Sequence, residues 1–460
     1  MRVHFTGGCG RATGSLALSL MRRGWEITAS DEIQYAPMSD FLRREGLRIA
    51  DTYSPRSIDS SIEVVVKGNH IAASNVEVKA AKERGIEVVS MAVFLERYLL
   101  PDSGRIVVAG TNGKTTTTAM LAWILQSAGV EPDYLFAGDC PHFRLSVRMR
   151  GARWVVLEGD EYSSSAEERS PKFHHYHPDV LVLTNLSYDH AEVYPDLPAL
   201  HGEFRRLVAE VPPSGKVIVA DDSPRLVELV REESRAPVVV VGRSTKADVR
   251  VRRPRRAGAG VSFEFRGRRV RIGLPGVMNA TNAALAMEAA LEVGVAPEAA
   301  GEALSHFRGI RGRMETVMET ESGAIILDEG YHPEAIRANL SALRRRYPGK
   351  RLLMALLPRF TGGRGGYQER DLPGVLTGAD EVLIAGLFDP FAYEGGPFST
   401  SQLAARLLAE GVPATVLDSP ADLPENVARR WRKGDVLICS LPPGHESIAA
   451  AIRTSIETPH

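Results

Sequence analysis

The feature that most constrains this chain is a short apolar run that ends in glycine and passes directly into lysine and threonine. Arg105 to Ala109 reads as a strand, Gly110-Thr111-Asn112-Gly113-Lys114-Thr115-Thr116 as a glycine-rich loop, and Thr115 to Ala128 as a helix. A loop so placed turns backbone N–H groups and the positive end of a helix toward an anion. Its lysine reaches the outer phosphates of a polyphosphate, and its hydroxyl holds Mg2+. Lys114 and Thr115 suit those roles. The strict G-x-x-x-x-G-K-[ST] spacing would need glycine at 108, where the chain has Val108, so the loop is a shortened variant.

In an open parallel sheet, ligands gather at the C-terminal ends of the strands. The run Trp154 to Leu157 ends at Glu158-Gly159-Asp160-Glu161, and Val180 to Leu183 ends at Thr184-Asn185-Leu186-Ser187-Tyr188-Asp189-His190. Oxygen ligands suit Mg2+, and a neutral histidine can add a nitrogen. Taken with the loop and its Thr115, these ends, which carry the carboxylates of Glu158, Asp160, Glu161 and Asp189 and the imidazole of His190, point to a Mg-ATP site. The run His174-His175-Tyr176-His177 invites a zinc reading, but no cysteine or carboxylate spacing supports it. A surface or substrate-facing loop is expected there.

A chain of 460 residues is too long for one ordinary core, and about 150 residues per domain suggests roughly three. Strand–helix alternation divides it at Pro101-Asp102-Ser103-Gly104 and again near 310. The expected class is α/β with three domains. Residues 1–104 form a Rossmann-like domain. Residues 105–310 form a P-loop NTPase-type domain, with a β insertion of antiparallel hairpins over Val249 to Gly273. Residues 311–460 form a second Rossmann-like domain.

Near the start, Gly7-Gly8-Cys9-Gly10 with Gly14 approaches a dinucleotide-binding turn, although Thr13 stands where the third glycine is wanted. Asp31 follows about 20 residues on, where a ribose-binding acid would sit. Gly8, Gly10 and Asp31 are therefore candidates for a nucleotide diphosphate or a dinucleotide, with a tight turn alone as the equal alternative.

Net charge is −1, which gives no reason to expect nucleic acid or an anionic membrane as partner. Arg250 to Arg256 reads as a solvated hairpin. The three cysteines show no C-x-x-C spacing, so neither a zinc framework nor disulfides are expected. No leader-like segment or long apolar run is present, so a cytoplasmic protein with no obligate protein partner is expected.

The series of motifs resembles the Mur ligase family, which adds amino acids or peptides to UDP-N-acetylmuramate. Gly110 to Thr116 is similar to that family's G-T-x-G-K-T-T loop, and Thr184-Asn185 through Asp189-His190 to its T-N-x-x-x-D-H segment. Asn279 and Asn282 in GVMNATNAALA are similar to its H-N-x-x-N-x-x-A-A segment. Arg313, Asp328 and His332-Pro333 are similar to the start of its C-terminal domain. Within the family the likeness is strongest to the murein-peptide ligase subgroup. It is carried by the glycine turn, by Ser30-Asp31 through Ser39, by Gly68-Asn69 with Asn75 and Glu77, and by Glu158 to Tyr162 through Arg169 to Phe173.

The resemblance implies an ATP- and Mg2+-dependent ligase that makes an amide bond through an acyl phosphate. Its substrates would be a nucleotide sugar, UDP-N-acetylmuramate, and a peptide, L-alanyl-γ-D-glutamyl-meso-diaminopimelate, in peptidoglycan recycling. By the same resemblance Lys114, Glu158, His190 and Arg313 are catalytic, and Thr115, Glu158 and His190 hold Mg2+. Gly110, Thr111, Asn112, Gly113, Lys114, Thr115, Thr116, Asn279, Asn282, Arg313 and Asp328 hold the nucleotide. Gly8, Gly10, Asp31, Asn69, His332 and Arg359 meet the other substrates. Departures cluster in the last domain. Met278 replaces a histidine, the D-D-x-A-H-H-P run reads Leu327-Asp328-Glu329-Gly330-Tyr331-His332-Pro333, and glycines follow Arg359. They leave the identity of the amine open, and the sequence does not give whether the acceptor carries UDP.

Overall fold

The computed structural model describes all residues except 35–37, 164–169, 188–192, 195, 259, 331–332, 359–366, 387–398, 443 and 458–460, and the side chains of 367–370. Valine-rich runs such as Val64–Lys67 are buried on both faces, as strands of a helix-covered parallel sheet must be. Five of them, in the order Ile49–Ala50, Glu26–Ser30, Arg2–Thr6, Val64–Lys67, Glu87–Ser90, make an all-parallel sheet.

The second sheet has eight strands. Its order is Val249–Arg250, Val238–Gly242, Lys216–Ala220, Val180–Leu183, Gly104–Ala109, Trp154–Gly159, Asp133–Leu135, Val147–Arg148, and only the last pairing is antiparallel. Successive side chains of Gly104–Ala109 serve different cores, as the two-residue period of a strand requires. Val107 and Ala109 join a cluster with Val3, Phe5 and Leu16 of the first sheet's unit, so those two units share apolar packing. Ile106 and Val108 face the helices Lys114–Ser127 and Val277–Glu292. Both helices are apolar nearly all round, which is why both are buried.

Arg252–Ala257, Gly260–Phe265 and Arg268–Ile272 form the antiparallel insertion. Val261, Phe263 and Phe265 turn inward while the arginines of the outer strands stay wet. A six-stranded sheet follows, in the order Glu315–Thr320, Gly323–Asp328, Asp435–Ser440, Leu352–Leu356, Glu381–Ala385, Ala414–Leu417, antiparallel only at its first edge. This is the expected α/β class. Among the described residues, no helix is long and apolar enough to cross a membrane.

The histidine run departs from expectation. Lys172–Tyr176 is a short 3-10 helix with His174 and Tyr176 buried. His174 lies 2.8 Å from Glu203 and 3.0 Å from Glu210. His175 and His177 both meet Glu96 of the first unit at 2.7 Å. Aromatic neighbours, Phe173 against Phe204 among them, pull the segment inside. It ties two units together and is not a surface loop.

Candidate active site

The strand Gly104–Ala109 lies between Trp154–Gly159 and Val180–Leu183, so the ends of both neighbours flank the loop that follows it. Val108 is fully buried inside that strand, which is why no glycine is needed there and the loop starts later. Gly110 is needed. Its φ is +131°, and a Cβ would collide with Thr184 Oγ1 and the Asn185 carbonyl.

Asn185 then latches the loop. Its Oδ1 accepts from the Asn112 N–H at 2.9 Å, its Nδ2 donates to the Asn112 carbonyl at 2.7 Å, and its carbonyl accepts from the Thr111 N–H at 3.1 Å. Thr111 Oγ1 donates to the Ser187 carbonyl at 3.0 Å. The helix Lys114–Ser127 begins at Gly113, φ +85°, with no side chain capping it. The N–H groups of a first helical turn have no partner within the helix, which is the geometry that favours an anion.

Charge gathers behind it. The Lys114 ammonium donates to the Gly110 and Thr111 carbonyls at 2.7 and 3.1 Å and lies 2.8 Å from Glu161. Burial alone would lower its pKa, but Glu161, Asp160 and Glu158 outweigh that and hold it above the ordinary lysine value. It stays an ammonium at neutral pH. Thr115 Oγ1 donates to Glu158 at 2.6 Å, and the other Glu158 oxygen accepts the Ala137 N–H at 2.5 Å. Burial and the charge of Asp160 push the Glu158 carboxyl up. Asp160 is pulled down instead: burial opposes, but Lys172, 2.9 Å away, and Lys114 prevail. Glu158 is thus a carboxylate that a nearby cation would stabilise.

The neighbouring helix closes the site. A Cβ on Gly113 would stand 2.9 Å from Asn282 Oδ1, so Asn282 packs on the turn itself. Asn279 donates to the Pro275 carbonyl at 2.7 Å and accepts from Asn282 at 3.3 Å. Thr116 is buried in the helix's first turn. The segment leading to the last unit runs beside Thr115. A Cβ on Gly138 would touch Thr115 at 3.0 Å and Ile310 at 2.8 Å, and the Arg313 N–H donates to the Ile310 carbonyl at 3.1 Å. The Arg313 guanidinium is half-exposed and 3.7 Å from Glu329. Asp328 is buried and accepts the Met314 and Gly330 N–H groups at 2.8 and 2.7 Å, so it caps a turn. Burial pushes its carboxyl up against the pull of Arg313.

In the first unit, Gly7 and Gly8 donate to the Ser30 carbonyl, at 2.8 and 3.0 Å. Gly8 packs on Ala29, where a Cβ would be 2.8 Å away. Gly10 precedes the helix Arg11–Arg22. Thr13, in the third-glycine position, donates to the Gly7 and Gly10 carbonyls at 3.0 and 3.2 Å and ties the turn shut. Asp31 accepts the Cys9 N–H at 2.9 Å and the Ile33 N–H at 3.0 Å and so braces the turn. Asn69 is half-buried in the turn after Val64–Lys67, beside Gly68, which packs on Gly7.

The structure thus brings Lys114, Thr115, Glu158 and Asn282 around one loop, with Asp31, Gly8 and Gly10 at a separate turn. His190, His332 and Arg359 lie outside the described residues. Glu161 and Asn185 were not singled out from the sequence. Their motifs were noticed, but only tertiary contact shows that one pairs with Lys114 and the other latches the loop.

Residues 2–100 match the Mur ligase family catalytic domain, and residues 108–290 the Mur ligase middle domain. The UDP-N-acetylmuramate–L-alanyl-γ-D-glutamyl-meso-2,6-diaminoheptandioate ligase of Escherichia coli is 33% identical over 84% of this chain and 84% of its own length. The chain belongs to the Mur ligase family. Members of this family are ATP-dependent ligases that form amide bonds, generally with Mg2+. A UDP-N-acetylmuramate–L-alanine ligase of Burkholderia ambifaria is 30% identical over 95% of this chain and 94% of its own. A murein peptide ligase structure from Psychrobacter arcticus superposes with a TM-score of 0.76, at 27% identity over 99% of this chain and 98% of its own.

Proposed function

We propose that this Mur ligase joins L-alanyl-γ-D-glutamyl-meso-diaminopimelate to UDP-N-acetylmuramate, as a cytoplasmic enzyme of peptidoglycan recycling acting on small molecules without an obligate protein partner. The observation that carries the reading is the uncapped helix at Gly113 with Lys114, Thr115 and Glu158 gathered at it. A carboxylate is a poor electrophile because its leaving group would be oxide. The lactoyl carboxylate therefore takes the terminal phosphoryl group of ATP, and ADP departs. The peptide's amino nitrogen then attacks the acyl carbon, loses a proton, and expels phosphate.

The protein's part is to align three substrates and neutralise charge. Lys114 is a fixed positive charge at the outer phosphates. The donor set fits Mg2+, since a buried hydroxyl and a carboxylate whose pKa is pushed up by burial and by Asp160 are hard oxygen ligands that a cation would favour. Thr115 and Glu158 would hold one ion, which shields phosphate charge when bound, and Glu158 with His190 a second. Thr111, Asn112 and Thr116 shape the cradle, and Asn279 and Asn282 would bound the adenine side. Arg313 and Asp328 of the last unit would serve phosphate and ribose. Gly8, Gly10, Asp31 and Asn69 would meet the nucleotide sugar, and His332 and Arg359 the peptide.

The 33% identity to a tripeptide ligase supports the peptide as amine. The 30% identity to alanine ligases names the competitor. Incubation with UDP-N-acetylmuramate, Mg-ATP and each amine, read by mass spectrometry, separates them. The tripeptide adduct is expected. An adduct with L-alanine alone would reassign the amine, and none with any amine would remove the ligase reading.

A further inference from the structure

A cavity of about 530 Å³ opens between the first unit and the central one, well away from the loop. It lies at the C-terminal ends of the helices Arg11–Arg22 and Lys114–Ser127, next to the edge strand Val147–Arg148. The N-termini of those same helices hold the two glycine loops, roughly 20 Å away along each axis. The cavity therefore belongs to neither loop.

Its chemistry is specific. Arg22 and Arg23 reach it from the first unit, and Arg144, Arg148 and Arg150 from the central one. Arg148 is fixed: it donates to the Pro132 carbonyl at 3.1 Å and to Gln126 and Glu131 at 3.3 Å, and lies over the Tyr134 ring at 4.9 Å. Arg22 and Arg144 share a single carboxylate, Glu45. Arg23 rests on the Trp25 ring at 5.8 Å. Among the described residues no acid pairs with Arg23 or Arg150. Asp133 is nearby, but its oxygens accept the N–H groups of Arg150, Gly151 and Ala152 at 2.8–2.9 Å. Positive charge at a helix C-terminus is ordinary, and that accounts for Arg22 and Arg23. It does not account for three further guanidiniums from the other unit.

The wall is largely aromatic. Tyr134 and Phe143 are buried, with ring centroids 4.6 Å apart. His142 lines the cavity and stacks on Trp123 at 3.9 Å. Guanidiniums over aromatic faces suit a planar ring, and unpaired guanidiniums suit a phosphate, which they grip through two N–H groups at once.

We propose that this cavity is a second ligand site, for a small molecule that carries both a phosphate and a flat ring and bridges the first and central units. The probe is phenyl phosphate, with inorganic phosphate as comparison, read by titration calorimetry and by the fluorescence of Trp123. Saturable binding is expected, about tenfold tighter for phenyl phosphate. The Arg144→Ala/Arg150→Ala pair removes two exposed side chains, so it should keep the melting temperature while weakening binding about tenfold. Equal affinity for inorganic phosphate would reduce the site to general attraction of anions and overturn the proposal. So would absence of saturation at millimolar probe, or unchanged binding in the double variant, which would assign the signal to the phosphate loop.

Discussion

Two loops in this molecule share one plan and differ in chemistry. Each follows an inner strand of a parallel sheet, turns through glycines and opens a helix. At Gly7 to Gly10 the turn is closed by its own surroundings. Thr13 takes the Gly7 and Gly10 carbonyls, and Asp31 takes the Cys9 N–H. At Gly110 to Thr116 the turn is tied by Asn185, but an ammonium, a hydroxyl and a carboxylate converge on it. Topology alone does not make a phosphate site. Neither helix has a side-chain cap and each turn has backbone N–H groups already bonded; what differs is which charges stand behind the turn.

The largest expected effect breaks the contrast outright. Lys114→Ala should cut product formation about a thousandfold, the scale for losing a preorganised charge on a transition state. A product rate equal to the parent's by mass spectrometry would take the loop out of the chemistry. Next comes backbone shape. Gly110→Ala meets a positive φ, worth about 1–3 kcal/mol of strain, and a collision with Thr184 and Asn185 as well. Gly8→Ala meets only overpacking on Ala29, about 1–3 kcal/mol without the φ penalty. Denaturant melts should rank Gly110→Ala as the less stable. Substrate titrations should show its defect in the KM for ATP and that of Gly8→Ala in the KM for the nucleotide sugar. The reverse assignment would exchange the roles of the two loops.

Two threonines sharpen the comparison further. Thr115→Val deletes the hydroxyl against Glu158, and activity should fall about 10–100-fold, with partial recovery at higher Mg2+. Thr13→Val deletes a hydroxyl that ties carbonyls, and should cost about 1 kcal/mol of stability with no change in Mg2+ dependence. Equal Mg2+ titrations for the two variants would separate Thr115 from the metal.

The same contrast explains what could be read from the sequence. The loop was legible because its chemistry needs glycine, lysine and threonine at fixed local spacing. The strand runs were legible because residues such as Val64 to Val66 must be apolar on both faces. Asp133–Leu135 and Val147–Arg148 were not, since strands of three and two residues carry no period. Neither was the pairing of Glu161 with Lys114, 47 positions apart, because nothing local distinguishes it from Asp160 or Glu158. Histidines 174, 175 and 177 suggested a surface loop by polarity, yet each found a carboxylate on another element. Asp31 is subtler: spacing placed it correctly near the turn, but only the Cys9 contact shows what its oxygens hold.

An effect on stability alone tests how the first loop is braced. Glu77 is fully buried and accepts from Ser30 at 2.5 Å and Thr6 at 2.9 Å, lies 3.1 Å from His4 Nε2, and accepts the Ser54 N–H at 3.1 Å. Thr6 and Ser30 end the two strands that carry the turn. Burial would raise the Glu77 carboxyl, but the bonds from His4 and Ser30 overcome it and hold it below the ordinary value. A carboxyl lowered on folding adds stability above its unfolded value of about 4.3, and that stability is lost as pH falls through the lower folded value. Glu77→Gln should therefore cost about 1–3 kcal/mol at neutral pH and flatten the acid limb of a pH–stability curve. It should leave the Mg2+ dependence of the second loop untouched. An acid limb as steep as the parent's would mean that other carboxylates set it, and that the first turn is held by Thr13 and Asp31 alone.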